Sequence, residues 1–405
     1  MHAGCAHLGA LRAKTGIIPE LMNYLTLFAL SALLHGYVAW RLLGPLAALP
    51  LAAWALGGVL AFSALAVPCA LLARRLAAAP LADRLSWAGL LCMGLFSSLL
   101  VLTLLRDAAS ALLWLLDAWA PGRLALDAWA QGSAQAVPLL GGLATLLGFA
   151  NARRTAPVVR VDVPIRGLPA AWQGFTLAQI SDIHVGPTIR RHYLRRIVER
   201  VNTLGADVVA ITGDLVDGRV GELAAHVAPL ADLRSRRGTF FVTGNHEYYA
   251  GAQPWIDELR RLGLTVLLNE HVVFGPSDAD AGAWPLVLAG VTDFNAGQFD
   301  PSQRSDPALA LKGAPPEAVR VLLAHQPRSA PAAAEAGFDL QLSGHTHGGQ
   351  FYPWPLFVRL QQPFTAGLHL WGRLWVYTSR GTGYWGPPNR FGAPSEITCL
   401  RLVAA

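Results

Sequence analysis

Charge is what this sequence has least of. Only 14% of its 405 residues are Asp, Glu, Lys or Arg, against 53% hydrophobic, and mean hydropathy is +0.38. Soluble domains carry about a quarter charged residues, so at least part of the chain is excluded from that class. Cysteine is scarce as well. Cys5, Cys69, Cys92 and Cys399 show no metal-like spacing and make no disulfide framework, so nothing indicates an oxidising compartment. Also missing is any Lys/Arg run interleaved with aromatics. The net charge of +6 is almost all arginine, much of it beside apolar spans. It reads as the flanking charge of a membrane protein, and no nucleic-acid partner is expected.

The length calls for two domains, and the apolar excess lies before Asn151, which divides the chain into 1–155 and 156–405. Residues 24–43 are interrupted only by His35 and, near the end, Arg41, residues 45–73 carry no charge, and 86–105 and 133–150 are two further apolar runs. About 20 such residues cross a bilayer as a helix. The first run has no convincing small-residue cleavage site after it and is read as retained. These runs predict an α-helical transmembrane bundle of about four spans.

Residues 108–120 are apolar but short and contain Asp117, and Leu-Asp-Ala-Trp-Ala occurs at 116–120 and again at 126–130. Trp beside Asp suits a segment lying in the membrane interface, with a fifth crossing as the rival. With four spans and the N-terminus inside, Arg12, Lys14, Arg74, Arg75, Arg84, Arg153, Arg154 and Arg160 lie inside, and Arg41, Arg106 and Arg123 outside. That imbalance predicts a multi-pass membrane protein with a cytoplasmic C-terminal domain; a fifth span would reverse it. His35 reads either as a relay or as a hydrogen-bonded bundle residue. Apart from Arg41 near the end of the first run, no other charged group falls inside the four runs, so they read as an anchor.

Beyond Ala156 short apolar runs alternate with helical patterns. Strands are expected at 175–180, 207–212, 239–243, 319–324 and 339–342, and helices at 192–204, 221–233 and 254–262, which implies a largely parallel α/β core. Sites in such sheets lie beyond the carboxyl ends of strands. Each of the five strands leads into polar chemistry there: Asp182-Ile-His184, Gly213-Asp214-Leu-Val-Asp217, Gly244-Asn245-His246-Glu247, the lone His325, and Gly344-His345-Thr-His347-Gly-Gly-Gln350.

Singly, each fragment is a weak signal. Together they supply carboxylate, imidazole and amide without thiolate, a set suited to Mn, Fe or Zn, with Mn favoured. Asp182 and His184 can reach one ion from the same side, Asp214 can bridge two through its two oxygens, Asn245 offers an amide oxygen, and histidines complete the shells. Two such ions supply a hydroxide nucleophile at neutral pH and offset charge on a phosphoryl group in flight. His246, beside Asn245, is placed to protonate the departing oxygen. Asp217 and Glu247 each read either as orienting a ligand histidine or as capping the following helix.

The series Asp182-x-His184, Gly213-Asp214-x-x-Asp217, Gly244-Asn245-His246-Glu247, His325 and Gly344-His345-x-His347 resembles the calcineurin-like metallophosphoesterases over residues 175–403. Residues 344–350, 379–383 and 390–397 are similar to the family's bacterial membrane-associated branch, of YkuE-like, YaeI-like and UDP-diacylglucosamine hydrolase-like enzymes. The resemblance implies a four-layer αββα sandwich. It implies one metal on Asp182, His184, Asp214 and His347, a second on Asp214, Asn245, His325 and His345, and His246 as proton donor.

The function expected is therefore hydrolysis of a phosphodiester or pyrophosphate bond at a membrane, with a lipid-linked substrate as one candidate. A soluble nucleotide substrate and a catalytically silent metal-binding sensor are the alternatives. The bilayer and a phosphoester substrate are the expected partners, and no protein partner is inferable. Phe351, Tyr352, Trp354, Phe357 and Phe364 follow the last motif and read either as an apolar rim for an acyl chain, or as core packing and a membrane-touching face.

Overall fold

The computed structural model describes residues 5–275 and 284–405, with side chains from Tyr24 onward; those of Cys5, Arg12 and Lys14 lie outside the described part. Contacts divide the chain into Met1–Leu146 and Leu147–Ala405. The expected boundary at 155/156 falls just past the last helix of the apolar half. The contact division comes earlier because that helix's last turns pack with the second unit.

In the first unit the apolar runs form α1 (Cys5–Leu43), α2 (Pro50–Leu71), the short α3 (Ala73–Leu76), α4 (Leu81–Trp119) and α5 (Leu126–Arg153). Four of them are long and apolar enough to cross a membrane. Val38, Leu42, Leu56, Leu60, Phe96, Leu99, Ala134 and Val137 pack together between them. Gly89 of α4 lies so close to Ala66 and Ala70 of α2 that a Cβ would overlap them, the small-residue contact that lets membrane helices approach. His35 is satisfied within the bundle: Nδ1–H donates to the Ser31 carbonyl at 2.8 Å, and Nε2 accepts from Ser63 Oγ at 2.8 Å.

Two sequence readings change here. Residues 108–120 are not a separate interfacial segment or a fifth crossing but the end of α4, which runs unbroken for 39 residues. No Gly or Pro occurs between Gly94 and Pro121, so nothing stops the helix before the Pro121-Gly122 turn. At 1.5 Å per residue it is about 58 Å long, roughly twice the hydrocarbon thickness. The spans also contain further charged groups. Arg106 and Asp107 lie within α4, where Arg41 grips Asp107 through two hydrogen bonds (2.7 and 2.8 Å), Tyr37 Oη adds a third (2.6 Å), and Arg106 Nε donates to Ser133 Oγ (2.9 Å).

The second unit begins with β1 (Val158–Ile165) and β2 (Thr176–Ile180), then α6 (Arg191–Asn202), β3 (Val208–Ile211), α7 (Val220–Val227), β4 (Thr239–Phe241), α8 (Asn245–Ala250), α9 (Ala252–Arg261), β5 (Thr265–Val266) and β6 (Glu270–Phe274). It continues with β7 (Leu286–Gly290), α10 (Pro307–Ala310), β8 (Val319–Leu323), α11 (Ala330–Ala336), β9 (Leu340–Ser343), α12 (Pro355–Val358), β10 (Gly367–Trp371), β11 (Leu374–Thr378) and β12 (Ile397–Ala404). The helix expected over 221–233 ends at Val227 and passes into a 3₁₀ turn over Ala228–Asp232, since Pro229 cannot continue the α-helical ladder.

The strands form two mixed six-stranded sheets, ordered β1-β12-β2-β3-β4-β5 and β10-β11-β9-β8-β7-β6. Each contains a parallel block: β2 to β5, joined antiparallel by β12, which itself pairs parallel with β1, and β7, β8, β9 and β11, flanked by antiparallel β6 and β10. Alternation along each strand explains the layering. Leu177, Val208, Ala210 and Phe240 of the first sheet face Leu288, Val321, Leu323 and Leu342 of the second across one shared core. Ala178, Ile180, Val209 and Ile211 turn outward beneath α6, α7 and α9, as Ala289, Leu322 and Val376 do beneath α11. Strands buried on both faces read as continuous apolar runs, and the result is the four-layer αββα sandwich.

Trp255 of α9 is fully buried in the outer core, and its Nε1–H donates to the Gly218 carbonyl at 2.9 Å. Trp255→Ala is expected to cost about 3–5 kcal/mol, speeding hydrogen exchange of the β3 amides by roughly two to four orders of magnitude. Acceleration below about threefold would contradict this packing account.

Candidate metal centre

The parallel blocks point the carboxyl ends of β2, β3 and β4 in one sheet, and of β8 and β9 in the other, at a common edge. Asp182 and His184 follow β2, Asp214 and Asp217 follow β3, and Asn245 and His246 open α8 after β4. His325 follows β8, and His345 and His347 follow β9. With Glu247, which follows His246 and accepts the Asp214 N–H, all ten residues predicted from sequence converge there.

Three ligand-competent groups form among the described residues, Asp182–His184–His347, Asp214–His325–His345 and His184–Asp217–His246, and the first two correspond to the ion sets that the resemblance implies. In the first, His184 Nε2 lies 3.0 Å from His347 Nε2, which is 3.5 Å from Asp182 Oδ1. In the second, His325 Nε2 lies 3.2 Å from Asp214 Oδ2 and 3.2 Å from His345 Nδ1. Asp214 Oδ2 is also 3.9 Å from His184 Nε2, so this carboxylate stands between the groups. Asn245 Oδ1 is buried and has no hydrogen-bond partner, an arrangement costing about 1–3 kcal/mol unless something electropositive meets it. An orphaned amide oxygen beside convergent imidazoles and carboxylates fits divalent cations.

The backbone is bent to serve this convergence. Asp182, His184, Asp214, His345 and His347 all adopt φ between 51° and 70°. Left-handed backbone costs about 1–2 kcal/mol for a residue with a Cβ, and glycine cannot replace a ligand side chain. Glycine appears instead where bulk is forbidden: a Cβ on Gly344 would overlap Ser181 and Asp182, and one on Gly244 would overlap Asp214.

Around the groups, hydrogen bonds fix the tautomers. Asp217 Oδ1 accepts from Nδ1 of both His184 (2.8 Å) and His246 (2.7 Å). His325 Nδ1–H donates to the Thr212 carbonyl at 2.7 Å. Each turns its Nε2 inward, the arrangement by which ligating histidines are oriented. Glu247 orients no histidine; it accepts the backbone N–H groups of Gly244 (2.6 Å), Asp214 (3.0 Å) and Leu215 (2.8 Å), capping α8 and tying two ligand loops together.

The electrostatics follow from crowding. Burial would pull His246 down, but the Asp217 hydrogen bond and the charges of Asp214, Asp217 and Glu247 outweigh it and raise its pKa to about 9. Burial would likewise raise Asp214, yet the charges of His325, His246 and His184 hold it well below the carboxylate range. Asp182 is raised by burial and by the neighbouring Asp214 charge. His345 is lowered to about 3, first by burial and then by His325.

Several residues at the site were not found from sequence. Arg390 is fully buried; it donates to the His347 carbonyl at 2.8 Å, and its Nη2 lies 3.0 Å from His347 Nδ1. It sits in an irregular loop with no strand before it; the resemblance over 390–397 marked the stretch but gave Arg390 no role. Asp293, buried and held by Gln326 Nε2 at 2.8 Å, follows β7, an apolar run ending in Thr-Asp that carried the same strand-end signal. Trp385 stands over His246, ring centroids 5.6 Å apart, with Tyr249 at 5.2 Å.

Residues 175–349 match the family model described as calcineurin-like phosphoesterase. The chain is 39% identical over 273 residues to a transmembrane protein with metallophosphoesterase domain from Danio rerio, and 40% identical over 299 residues to the Bos taurus protein of that name. Those matches cover 66% and 71% of this chain, and 62% and 67% of the two relatives, so the chain spans about two thirds of their length. An uncharacterized metallophosphoesterase from Aquifex aeolicus is 34% identical over 267 residues, 64% of this chain and 97% of that protein. With its two ligand groups at the sheet edges and its four membrane-length helices, the chain belongs to the calcineurin-like metallophosphoesterase family, with a membrane-linked N-terminal region.

Proposed function

We propose that the chain is a membrane-anchored two-metal phosphoesterase that hydrolyses a phosphodiester or pyrophosphate bond, with His246 as proton donor to the leaving oxygen. The observation that carries this reading is the position of Asp214 between the two groups, with His246 Nε2 at 4.0 Å from the same Oδ2. Asp182, His184, Asp214 and His347 would hold one ion; Asp214, Asn245, His325 and His345 the other. When bound, the pair supplies Lewis acidity toward phosphoryl oxygens and a deprotonated water as nucleophile. The mixed N and O donors favour Mn, Fe or Zn, with Mn first.

The chain's own residues do the rest. Asp217 holds the His246 ring by accepting from its Nδ1, which favours the protonated imidazole, with Nε2 facing the space beside Asp214. Glu247 keeps the Asp214 loop against α8. Trp385 and Tyr249 pack edge-on against the His246 ring. Placement in the bacterial membrane-associated branch, supported by residues 344–350, 379–383 and 390–397, and a cytoplasmic site, supported by the arginine distribution, belong to this reading; a topology reporter fused at Ala405 tests the side.

Purified full chain should hydrolyse bis-p-nitrophenyl phosphate, lose turnover to a chelator and regain it with Mn, while Asp214→Ala lowers kcat by about 10³ or more. Turnover that survives chelation would contradict the two-metal reading. His246→Ala should lower kcat about 10²–10⁴ for an alkyl ester, whose leaving oxygen needs a proton, and far less for the p-nitrophenyl ester, which departs as an anion. Equal losses on both would remove His246 as the donor. Because His246 must be protonated to act, activity is present below its pKa and falls as pH rises through it. Asp217→Asn removes a charge that raises this pKa, so the alkaline limb of the kcat profile should shift to lower pH; an unmoved limb would overturn the role of Asp217.

A further inference from the structure

We propose that segment 352–360 seats in the bilayer surface beside the last span and presents the metal site to phosphoesters carried by lipids of that leaflet. The lipid-substrate part rests on the phosphoesterase reading above; the membrane contact does not.

The segment begins five residues after His347 and exposes Tyr352, Trp354, Leu356, Phe357 and Leu360, with Leu356 68% and Leu360 79% accessible. The core-packing alternative thus holds only for Phe351, which is buried, and Phe364, which packs under the second sheet. Five large apolar side chains within nine residues, on a segment containing one short helix, make a patch that water does not favour. Its composition matches an interface: Trp and Tyr suit headgroup depth, Leu and Phe suit the acyl boundary, and exposed Arg359 between Phe357 and Leu360 can reach lipid phosphates.

What covers the patch follows from contacts inside the second unit. The last turns of α5 belong to that unit: Arg153 donates to the Thr188 carbonyl at 2.8 Å, and Tyr193 Oη donates to the Ala152 carbonyl at 3.0 Å. The Arg390 N–H donates to the Gly148 carbonyl at 2.9 Å, and a Cβ on Gly148 would overlap Asn389. On the other side of this same stretch, the Tyr352 N–H donates to the Phe391 carbonyl at 3.1 Å, Phe351 bridges Gly392, and the Tyr352 ring fills the space a Cβ on Gly392 would need. Only residues 389–392 therefore separate the apolar segment from the end of a membrane-length helix.

That helix has 28 residues, about 42 Å, against roughly 30 Å of hydrocarbon. Gly148 is five residues, about 8 Å, from the helix end, which places it at headgroup depth and the segment with it. The route from segment to chemistry is equally short. Gln350, two residues before Tyr352, donates to the Trp385 carbonyl at 2.8 Å and accepts the Trp385 N–H at 2.8 Å, and Trp385 packs on His246.

The test places a nitroxide at Leu356→Cys or Leu360→Cys, with Asp257→Cys on α9 as control, in full chain lacking its native cysteines and reconstituted into phosphatidylcholine–phosphatidylglycerol vesicles. Oxygen should relax labels 356 and 360 more than a water-soluble nickel chelate does, and label 257 should show the reverse. Nickel accessibility at 356 and 360 equal to that at 257 would overturn the membrane contact. In the second arm, Trp354→Ser/Leu356→Ser/Phe357→Ser should keep wild-type turnover of soluble bis-p-nitrophenyl phosphate. It should lose about tenfold or more on a diacylglycerol p-nitrophenyl phosphodiester in the vesicles, through lost positioning. Equal turnover of the vesicle-borne ester by variant and wild type would overturn the presentation role. Wild type that cleaves neither ester would overturn the phosphoesterase reading and the lipid substrate with it, while the nitroxide result still decides the contact.

Discussion

One carboxylate oxygen of Asp217 receives the Nδ1–H groups of His184 and His246, and both halves of the site depend on that shared acceptor. It turns His184 Nε2 toward His347 and Asp182, and it holds His246 Nε2 beside Asp214. The orientation of both imidazoles is thus set by a single anion. That anion is fixed in turn by the sheet, since the Asp217 N–H donates to the Val185 carbonyl at 2.9 Å and joins the loops after β2 and β3.

The energetic price of this centre is visible in the backbone. Five ligand-bearing residues occupy left-handed conformations, and carboxylates, imidazoles and the Asn245 amide are packed where water is excluded. Strain of this kind persists only where the surroundings over-determine it. Here the surroundings are two sheets whose parallel blocks end at a common edge, Glu247 gripping three backbone N–H groups, and Arg390 holding the His347 turn. Divalent cations among these donors would offset the like charges of Asp182 and Asp214, whose mutual repulsion contributes to the raised pKa of Asp182.

Much of this was legible in the sequence because the relevant signals are local. An apolar run ending in Asp, Asn or His marks a strand whose last peptide points at the site, and Asp182, Asp214, Asn245, His325 and His345 were placed in that way. The four apolar runs likewise announced four helices. What escaped had non-local causes. Arg390 is defined by carbonyls gathered from Gly383, Arg380 and His347, which no sequence pattern records. Asp217 and Glu247 read identically as helix caps or orienting groups, and only the fold shows that the first binds imidazoles and the second backbone amides. Arg106 and Asp107 suggested a span end at Leu105; their pairing with Arg41, Tyr37 and Ser133 lets α4 run on to Trp119.

The central claim is that Asp214 joins two metal ions in one centre. Manganese-loaded full chain examined by electron paramagnetic resonance should show the exchange-coupled spectrum of paired ions, and Asp214→Asn should replace it with the signal of isolated Mn. An uncoupled spectrum in the wild-type chain at saturating metal would contradict the account.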